Sequence, residues 1–350
     1  MRARRRALFR ADASIEIGTG HLVRCQTLAA ELVRRGWAAT LATRDLPAGL
    51  ASSARASGVT LIELPAGGAA EEPAAIATMV GGQVELVVVD HYALGADWHR
   101  AVAPWAHRLL AIDDLADRAQ VVDMVLNQNL GASASLYVGL VPATTRVLAG
   151  PSFALVRPEF AAARARSRAQ ALEHHGRVER ILVFMSGTDP DDMTRRAAEA
   201  AASVGVVSVD VVVGAGYPFR HELQAWADER PRIELHVDTP DMASLMARAD
   251  LAIGAPGSAS WERCTLGLPT VLVTLADNQA ENARLLGEVG AAVDLGRPTS
   301  LAAGDLEEVL KELANDPERL VAMSVAAARI TDGRGTIRVA DELDRLVESG

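Results

Sequence analysis

Residues 7–36 read ALFRADASIEIGTGHLVRCQTLAAELVRRG. The run Ala7–Arg10 has the character of a strand, and a turn carrying Gly18 and Gly20 follows it. A helical stretch, His21–Arg35, comes next and is closed by Gly36, the residue type that most readily takes the left-handed conformation ending a helix. Strand, glycine turn and helix in that order open a βα unit, and the order recurs along nearly the whole chain. Working outward, the next strand-like runs are Trp37–Thr43, Val59–Leu64, Leu86–Val89, Arg108–Ile112, Met124–Leu126 and Arg146–Leu148. Most lack polar alternation, as strands buried on both faces of a mostly parallel sheet require.

The pattern then restarts. Arg157-Pro158 opens an Arg- and Ala-rich helix that fades into the polar Glu173–Glu179. Arg180–Met185, Val206–Val213, Ile233–Val237, Leu251–Ile253 and Thr270–Leu275 form a second series, each run followed by a helical segment. Thr239-Pro240 reads as N-cap and N1, and Ser258 as another N-cap with Gly267 closing that helix. Helical patterns near Asp316–Ile330 and Thr336–Val347 finish the chain. The reading is α/β, with two Rossmann-like doubly wound domains facing a central cleft and ligands at the carboxyl ends of the strands. The expected divide follows residue 175, giving 1–175 and 176–332.

The chain has 350 residues, 49% hydrophobic and 23% charged, with a net charge of −10. That balance excludes wholesale disorder and argues against nucleic acid or an anionic membrane as a partner held by bulk charge. Two cysteines, Cys25 and Cys264, exclude a disulfide framework and suit a reducing compartment. The basic start MRARRR leads into a run broken by Arg10 and Asp12, so no signal peptide is expected. No apolar stretch reaches the roughly 18 residues of a membrane span. The expectation is a cytoplasmic monomer or weak dimer without membrane insertion.

Four strand-to-helix turns carry chemistry. In the first, Gly18 and Gly20 let the backbone approach a ligand, and a neutral imidazole at His21 can accept a proton. A capping or partly buried histidine is the other reading. The turn lacks the third glycine of a dinucleotide fingerprint. In the second, Asp90-His91-Tyr92 follows a buried strand, where Tyr92 can stack on or hydrogen-bond a ring, or be structural; Ile112-Asp113-Asp114 repeats the arrangement. In the third, Met185-Ser186-Gly187-Thr188-Asp189-Pro190 offers backbone N–H groups to an anion or base edge. Its D-x-D, Asp189-Pro190-Asp191, is a pattern that can hold a divalent metal, although first-turn acids are commonplace and no metal is expected. In the fourth, Gly257 and Ser258 present N–H groups to a diphosphate while Glu262 can take both hydroxyls of a ribose. Asn278 sits in a neighbouring polar cluster, Asp277-Asn278-Gln279. His99, His107, His221 and His236 show no metal-ligand spacing. Motifs of elbow hydrolases, P-loop NTPases and zincins are absent.

These residues also carry a family resemblance. Phe9-Arg10-Ala11-Asp12-Ala13-Ser14, Ile17-Gly18-Thr19-Gly20-His21 and Arg24 resemble the opening of the UDP-sugar hydrolases of pseudaminic acid biosynthesis, which act on UDP-2,4-diacetamido-2,4,6-trideoxy-β-L-altropyranose. The likeness continues through Asp90-His91-Tyr92, Asn127-Gln128-Asn129, Gly150 to Phe160, Gly187-Thr188-Asp189, Gly257 to Cys264 and Asn278-Gln279. Ser186 departs from it, standing where the family usually has the first of two glycines. The resemblance implies a GT-B architecture similar to MurG, with the nucleotide mainly on the second domain. It also implies a C-terminal helix, within 333–350, packing back on the first domain. It further implies that water displaces UDP at the anomeric carbon with inversion and without metal or cofactor. By the same likeness His21 is the base with Asp12 nearby, Tyr92 lies close to the sugar, and Glu262 holds the ribose. Ser258, Asn278 and the Gly187 turn surround UDP, and Arg157 matches a family arginine. The expected function is therefore hydrolysis of a UDP-linked diacetamido-trideoxyhexose. The alternatives are a GT-B glycosyltransferase using a UDP-sugar donor and a non-catalytic nucleotide-sugar-binding protein.

Overall fold

Strands without polar alternation need cover on both faces, and both sheets of the protein receive it. The computed structural model describes residues 4–12, 19–44, 46 and 48–349, so Gly18 lies outside the described residues. Two compact units emerge, Met1–Val156 with Arg334–Gly350, and Arg157–Gly333.

In the first unit the elements are β1 (Arg6–Ala11), α1 (Gly20–Arg34), β2 (Ala38–Thr43), α2 (Ala48–Ala56), β3 (Thr60–Glu63), α3 (Glu72–Val80), β4 (Val84–Asp90), α4 (Ala96–Val102), β5 (Ala106–Ile112), β6 (Met124–Asn127) and β7 (Arg146–Ala149). The strands form a seven-stranded parallel sheet in the order β3-β2-β1-β4-β5-β6-β7. Side chains alternate across it. Phe9, Leu86, Val88 and Leu110 pack with Leu22, Leu28 and Leu32 of α1. Leu8, Val87, Val89 and Leu109 pack on the other face with Ile76 of α3 and Trp98 and Val102 of α4. The strand order reverses between β1 and β4, so the turns after these strands are where a doubly wound sheet opens toward a ligand.

The second unit comprises α5 (Pro158–His174), β8 (Arg180–Phe184), α6 (Met193–Ser203), β9 (Ser208–Val213), α7 (Arg220–Asp228), β10 (Ile233–Val237), α8 (Met242–Arg248), β11 (Leu251–Gly254), α9 (Ala259–Leu266), β12 (Thr270–Leu272), α10 (Ala280–Glu288), β13 (Ala292–Asp294), α11 (Asp305–Ala314) and α12 (Pro317–Ile330). Its six strands are parallel in the order β10-β9-β8-β11-β12-β13, with the reversal between β8 and β11. The last helix, α13 (Gly335–Glu348), returns to the first unit. There Val339 and Leu343 enter the core, Arg35 bridges Asp341 at 2.7 Å and Asp344 at 2.9 Å, and the Trp37 indole donates to Asp344 at 3.0 Å. Among the described residues no helix is long and apolar enough to cross a membrane.

Several boundaries differ from the sequence reading. The divide falls at Arg157 rather than after residue 175, because α5 is tied to the second unit. Ser167 Oγ donates to the Leu266 carbonyl at 3.1 Å, and Arg164 donates to the carbonyls of Thr331 and Ala328 at 2.9 and 2.7 Å. Helix α8 begins at Met242 instead of Pro240, since the Thr239 hydroxyl accepts from the Asp241 amide at 3.1 Å and closes a turn first. Strand β13, three residues long, is too short to show a pattern in sequence, and it escapes the sequence reading. So does α11, although Leu306, Leu310 and Leu313 carry its helical spacing.

The turns after β8 and β9 meet backbone to backbone: a Cβ on Gly214 would overlap the carbonyl of Gly187. Gly214→Ala is expected to lower stability by about 1–3 kcal/mol. Urea unfolding checks this as a lower midpoint with unchanged slope, and an unmoved midpoint would show that the two turns part freely.

Candidate active site

Helix α1 starts at Gly20, which puts His21 and Arg24 three residues apart on one helical face. The neighbouring strand β4 ends on Asp90, and β5 leads into Asp113 and Asp114. These side chains converge. His21 Nδ1 pairs with Asp90 Oδ1. Arg24 donates Nε to Asp90 Oδ2 at 2.5 Å and Nη2 to Oδ1 at 2.6 Å. Its Nη1 and Nη2 also reach the two oxygens of Asp114 at 2.9 and 2.8 Å. Asp90, Arg24 and His21 are 1%, 5% and 6% exposed, so their pairing is shielded from water.

Burial alone would push the Asp90 carboxyl up. The charge of Arg24 and the contact with His21 more than reverse this and hold it well below the usual carboxylate range. An ionised carboxylate only accepts hydrogen bonds, so the Asp90 contact assigns the proton to Nδ1 and leaves Nε2 of the neutral ring as an acceptor. Arg24 Nη2, 3.3 Å from Nδ1, is then a neighbouring donor rather than a partner. The Tyr92 ring stands edge-on to the imidazole, with centroids 4.8 Å apart at 87°. Its hydroxyl donates to Asp114 at 3.3 Å. A histidine oriented through Nδ1 by a buried carboxylate is built to take a proton at Nε2 and to have the resulting charge stabilised.

Asp12 belongs to an adjoining network. Arg10, fully buried, binds both oxygens of Asp12 at 2.6 and 2.7 Å and both of Glu72 at 2.7 and 2.9 Å. Asp12 also accepts from the Arg44 amide at 2.8 Å and lies 3.4 Å from His91 Nε2. Burial would raise its pKa, but His91 and Arg10 override that and hold the carboxyl well below its usual range. The partner that orients His21 is therefore Asp90, and Asp12 is committed to Arg10. The sequence offers Asp90 as a helix cap and gives Arg24 no role. Their positions at a strand end and one turn beyond His21 were the available signal.

In the second unit the turns after β8 and β11 differ in which of their amides are engaged. Ser186 Oγ accepts from the amides of Thr188 at 3.3 Å and Asp189 at 2.8 Å. Asp189 in turn accepts from Met193 and Thr194 at 3.2 and 2.6 Å, and so caps α6. The N–H groups expected to face an anion at Thr188 and Asp189 are thus already satisfied, by a hydroxyl that a glycine at 186 would lack. After β11, by contrast, the amides of Gly257 and Ser258 donate to no acceptor among the described residues. Ser258 stands at the N-cap position of α9 as the sequence reading has it, with helical backbone angles and no cap bond from its hydroxyl, and Gly267 closes the helix at φ 70°.

Glu262, on the first turn of α9, is buried, and its Oε1 accepts from Arg157 Nε at 2.9 Å. Arg157 also stacks on Phe160 at 4.9 Å. It therefore steadies Glu262. Asn278 is exposed, while the neighbouring Gln279 turns its amide nitrogen to within 3.7 Å of the Cβ position of Gly257. Parallel pairing of β9 and β10 also gathers Asp210, Glu234 and His236, which the sequence left scattered. Asp210 is already bound to Arg248 at 2.7 Å and His236 at 2.8 Å.

Comparison with known proteins sets these turns in context. Residues 182–336 match the glycosyltransferase family 28 C-terminal domain. Over the full length, MurG of Acinetobacter baumannii superposes with a TM-score of 0.69 at 16% identity, covering 97% of this chain and 99% of that one. The chain has a GT-B fold. Within this GT-B fold, similarity in sequence reaches proteins of different names. The chain is 28% identical over 211 residues to the spore coat polysaccharide biosynthesis protein SpsG of Bacillus subtilis, spanning 59% of this chain and 61% of that one. It is 26% identical to the UDP-2,4-diacetamido-2,4,6-trideoxy-β-L-altropyranose hydrolase of Campylobacter jejuni, spanning 83% of this chain and 98% of the hydrolase. It is 33% identical to a Xanthomonas campestris UDP-N-acetylglucosamine–N-acetylmuramyl-(pentapeptide) pyrophosphoryl-undecaprenol N-acetylglucosamine transferase, over 56% of this chain but 46% of the transferase.

Arg24→Met would leave the buried carboxylate of Asp90 and the half-buried one of Asp114 without their shared cation. The expected cost is about 3–5 kcal/mol, measured as a fall in denaturation midpoint. A midpoint equal to that of the parent protein would mean that this ion triad is dispensable for folding.

Proposed function

We propose that the chain catalyses displacement at the anomeric carbon of a UDP-linked sugar, with an acceptor hydroxyl as the incoming group and His21 as general base. The carrying observation is the His21–Asp90 pair, which leaves Nε2 to accept a proton. The names of the transferase relatives and the family 28 match support glycosyl transfer. Hydrolysis, with water as the incoming group, is the second reading. It is favoured by a likeness that runs through 98% of the Campylobacter jejuni hydrolase.

The chemistry is common to both. Nε2 takes the proton of the incoming O–H, the oxygen bonds to the anomeric carbon, and the carbon–oxygen bond to the β-phosphate breaks with its electron pair leaving on UDP. A glycosidase usually needs an acid as well. A diphosphate leaves readily, so one base suffices, with assistance worth roughly 10²–10⁴-fold. In this proposal Glu262 takes the ribose hydroxyls, and the amides of Gly257 and Ser258 stabilise charge growing on the diphosphate, each worth about 3 kcal/mol. Tyr92 faces the sugar beside His21. Gly20 lends backbone freedom at the start of α1, and Gly187, Thr188 and Asn278 lie around the nucleotide.

The test is NMR of purified protein with UDP-2,4-diacetamido sugar and with UDP-N-acetylglucosamine, in chelator, with and without a sugar acceptor. UDP release that waits for the acceptor supports transfer. UDP and free sugar appearing without it support hydrolysis, and binding without either product contradicts catalysis. His21→Ala is expected to abolish turnover while leaving UDP affinity within about twofold, and Asp90→Asn to slow turnover by about 10²-fold or more. A fully active His21→Ala would remove the imidazole from the reaction.

A further inference from the structure

Two of the buried arginines of this protein meet carboxylates. Arg10 meets Asp12 and Glu72, and Arg24 meets Asp90 and Asp114, while the part-exposed Arg157 meets Glu262. In each case the carboxylates outweigh the cost of burial and raise the guanidinium pKa. Arg263 is 2% exposed, yet it forms no ion pair with any described carboxylate. Its Nη2 donates to the Ala255 carbonyl at 2.7 Å and to Ser260 Oγ at 3.0 Å. A Cβ on Gly254 would stand 2.6 Å from both Arg263 Nη1 and the Phe184 carbonyl, so glycine there leaves room for the guanidinium and for the neighbouring strand. Burial pushes the Arg263 pKa down to about 10 against the opposing pull of Cys264 and the Glu262 carboxylate, neither of which bonds to it.

A cation withdrawn from water without a counter-charge is strongly disfavoured, and proteins keep such groups where something answers them. The turn above Arg263 is short of acceptors in the same way, because the Gly257 and Ser258 amides donate to nothing among the described residues. A buried cation and two open N–H groups meet on the five residues Gly254–Ser258. Their shared complement is an anion with several acceptor oxygens.

We infer that Arg263 is the fixed counter-charge for a phosphate or diphosphate group seated on the Gly254–Ser258 turn. It acts as a positioning residue: it holds the Ala255 carbonyl and Ser260 hydroxyl so that the amides stay open, and its charge answers the anion. This rests on the reading that the β11 turn carries the nucleotide, and it adds the residue that makes the turn selective for the phosphates over the nucleoside.

Calorimetry with UDP and with uridine, on the parent protein, Arg263→Gln and Arg263→Lys, reads that selectivity. Arg263→Gln is expected to lose about tenfold or more in UDP affinity with uridine affinity unchanged, and Arg263→Lys to fall between. Equal losses for both ligands would mark Arg263 as a purely structural strut, and no loss for either would remove it from binding; both overturn the inference. A second measurement covers an Arg263→Gln that fails to fold. Inorganic pyrophosphate should raise the melting temperature of the parent protein more than that of Arg263→Lys, and equal shifts or none would overturn the inference. Should the parent bind pyrophosphate but neither UDP nor uridine, the nucleotide reading fails while the anion site stands.

Discussion

One guanidinium organises the chemistry of the first unit. Arg24 lies between Asp90 and Asp114 with two hydrogen bonds to each, and Asp90 in turn holds His21. Neither Arg24 nor Asp90 could be buried alone, since an unpaired ion in the interior is expelled or neutralised. Together they fix an imidazole ring in one orientation and one tautomer. Helix α1 contributes two members, and the ends of β4 and β5 contribute the others, so the sheet's parallel register places this cluster. The carboxyl ends of β1 and β4, where strand order reverses, are where such a sheet opens.

The second unit shows how a single hydroxyl changes what a turn can do. Ser186 folds its side chain back onto the turn after β8 and occupies the amides of Thr188 and Asp189. The turn after β11 has no such internal acceptor, and Ser258 leaves its hydroxyl out of the cap. Both turns read alike in sequence, as glycine and serine followed by a helix. They differ in where the oxygen points, and that decides whether the amides that follow the glycine stay open to an anion.

Much of the fold was legible because apolar runs without alternation leave little choice but a covered parallel sheet. Leu86–Val89 and Ala7–Arg10 sit at the centre of theirs. What escaped was short or set by tertiary contacts. Strand β13 has three residues, and α5 joins the second unit through hydrogen bonds from Arg164 and Ser167 that no local pattern announces. In the site, His21, Tyr92 and Glu262 stood out by residue type at strand ends and helix starts. The pairings did not. Asp12 is nearer His21 in sequence than Asp90 is, yet Arg10, pointing off the same strand, binds it first. Arg263 was visible as a letter, but its lack of a carboxylate partner exists only in three dimensions.

The proposed reaction requires that Asp90 hold the proton of the neutral His21 ring on Nδ1 and leave Nε2 to receive one. The most direct measurement is a long-range ¹H–¹⁵N spectrum of histidine-labelled protein, with His21 assigned by its loss in His21→Ala. The Nδ1–H tautomer is expected for the neutral ring, and its loss as the dominant form in Asp90→Asn. A neutral ring protonated at Nε2 in the parent protein would contradict the proposed reaction.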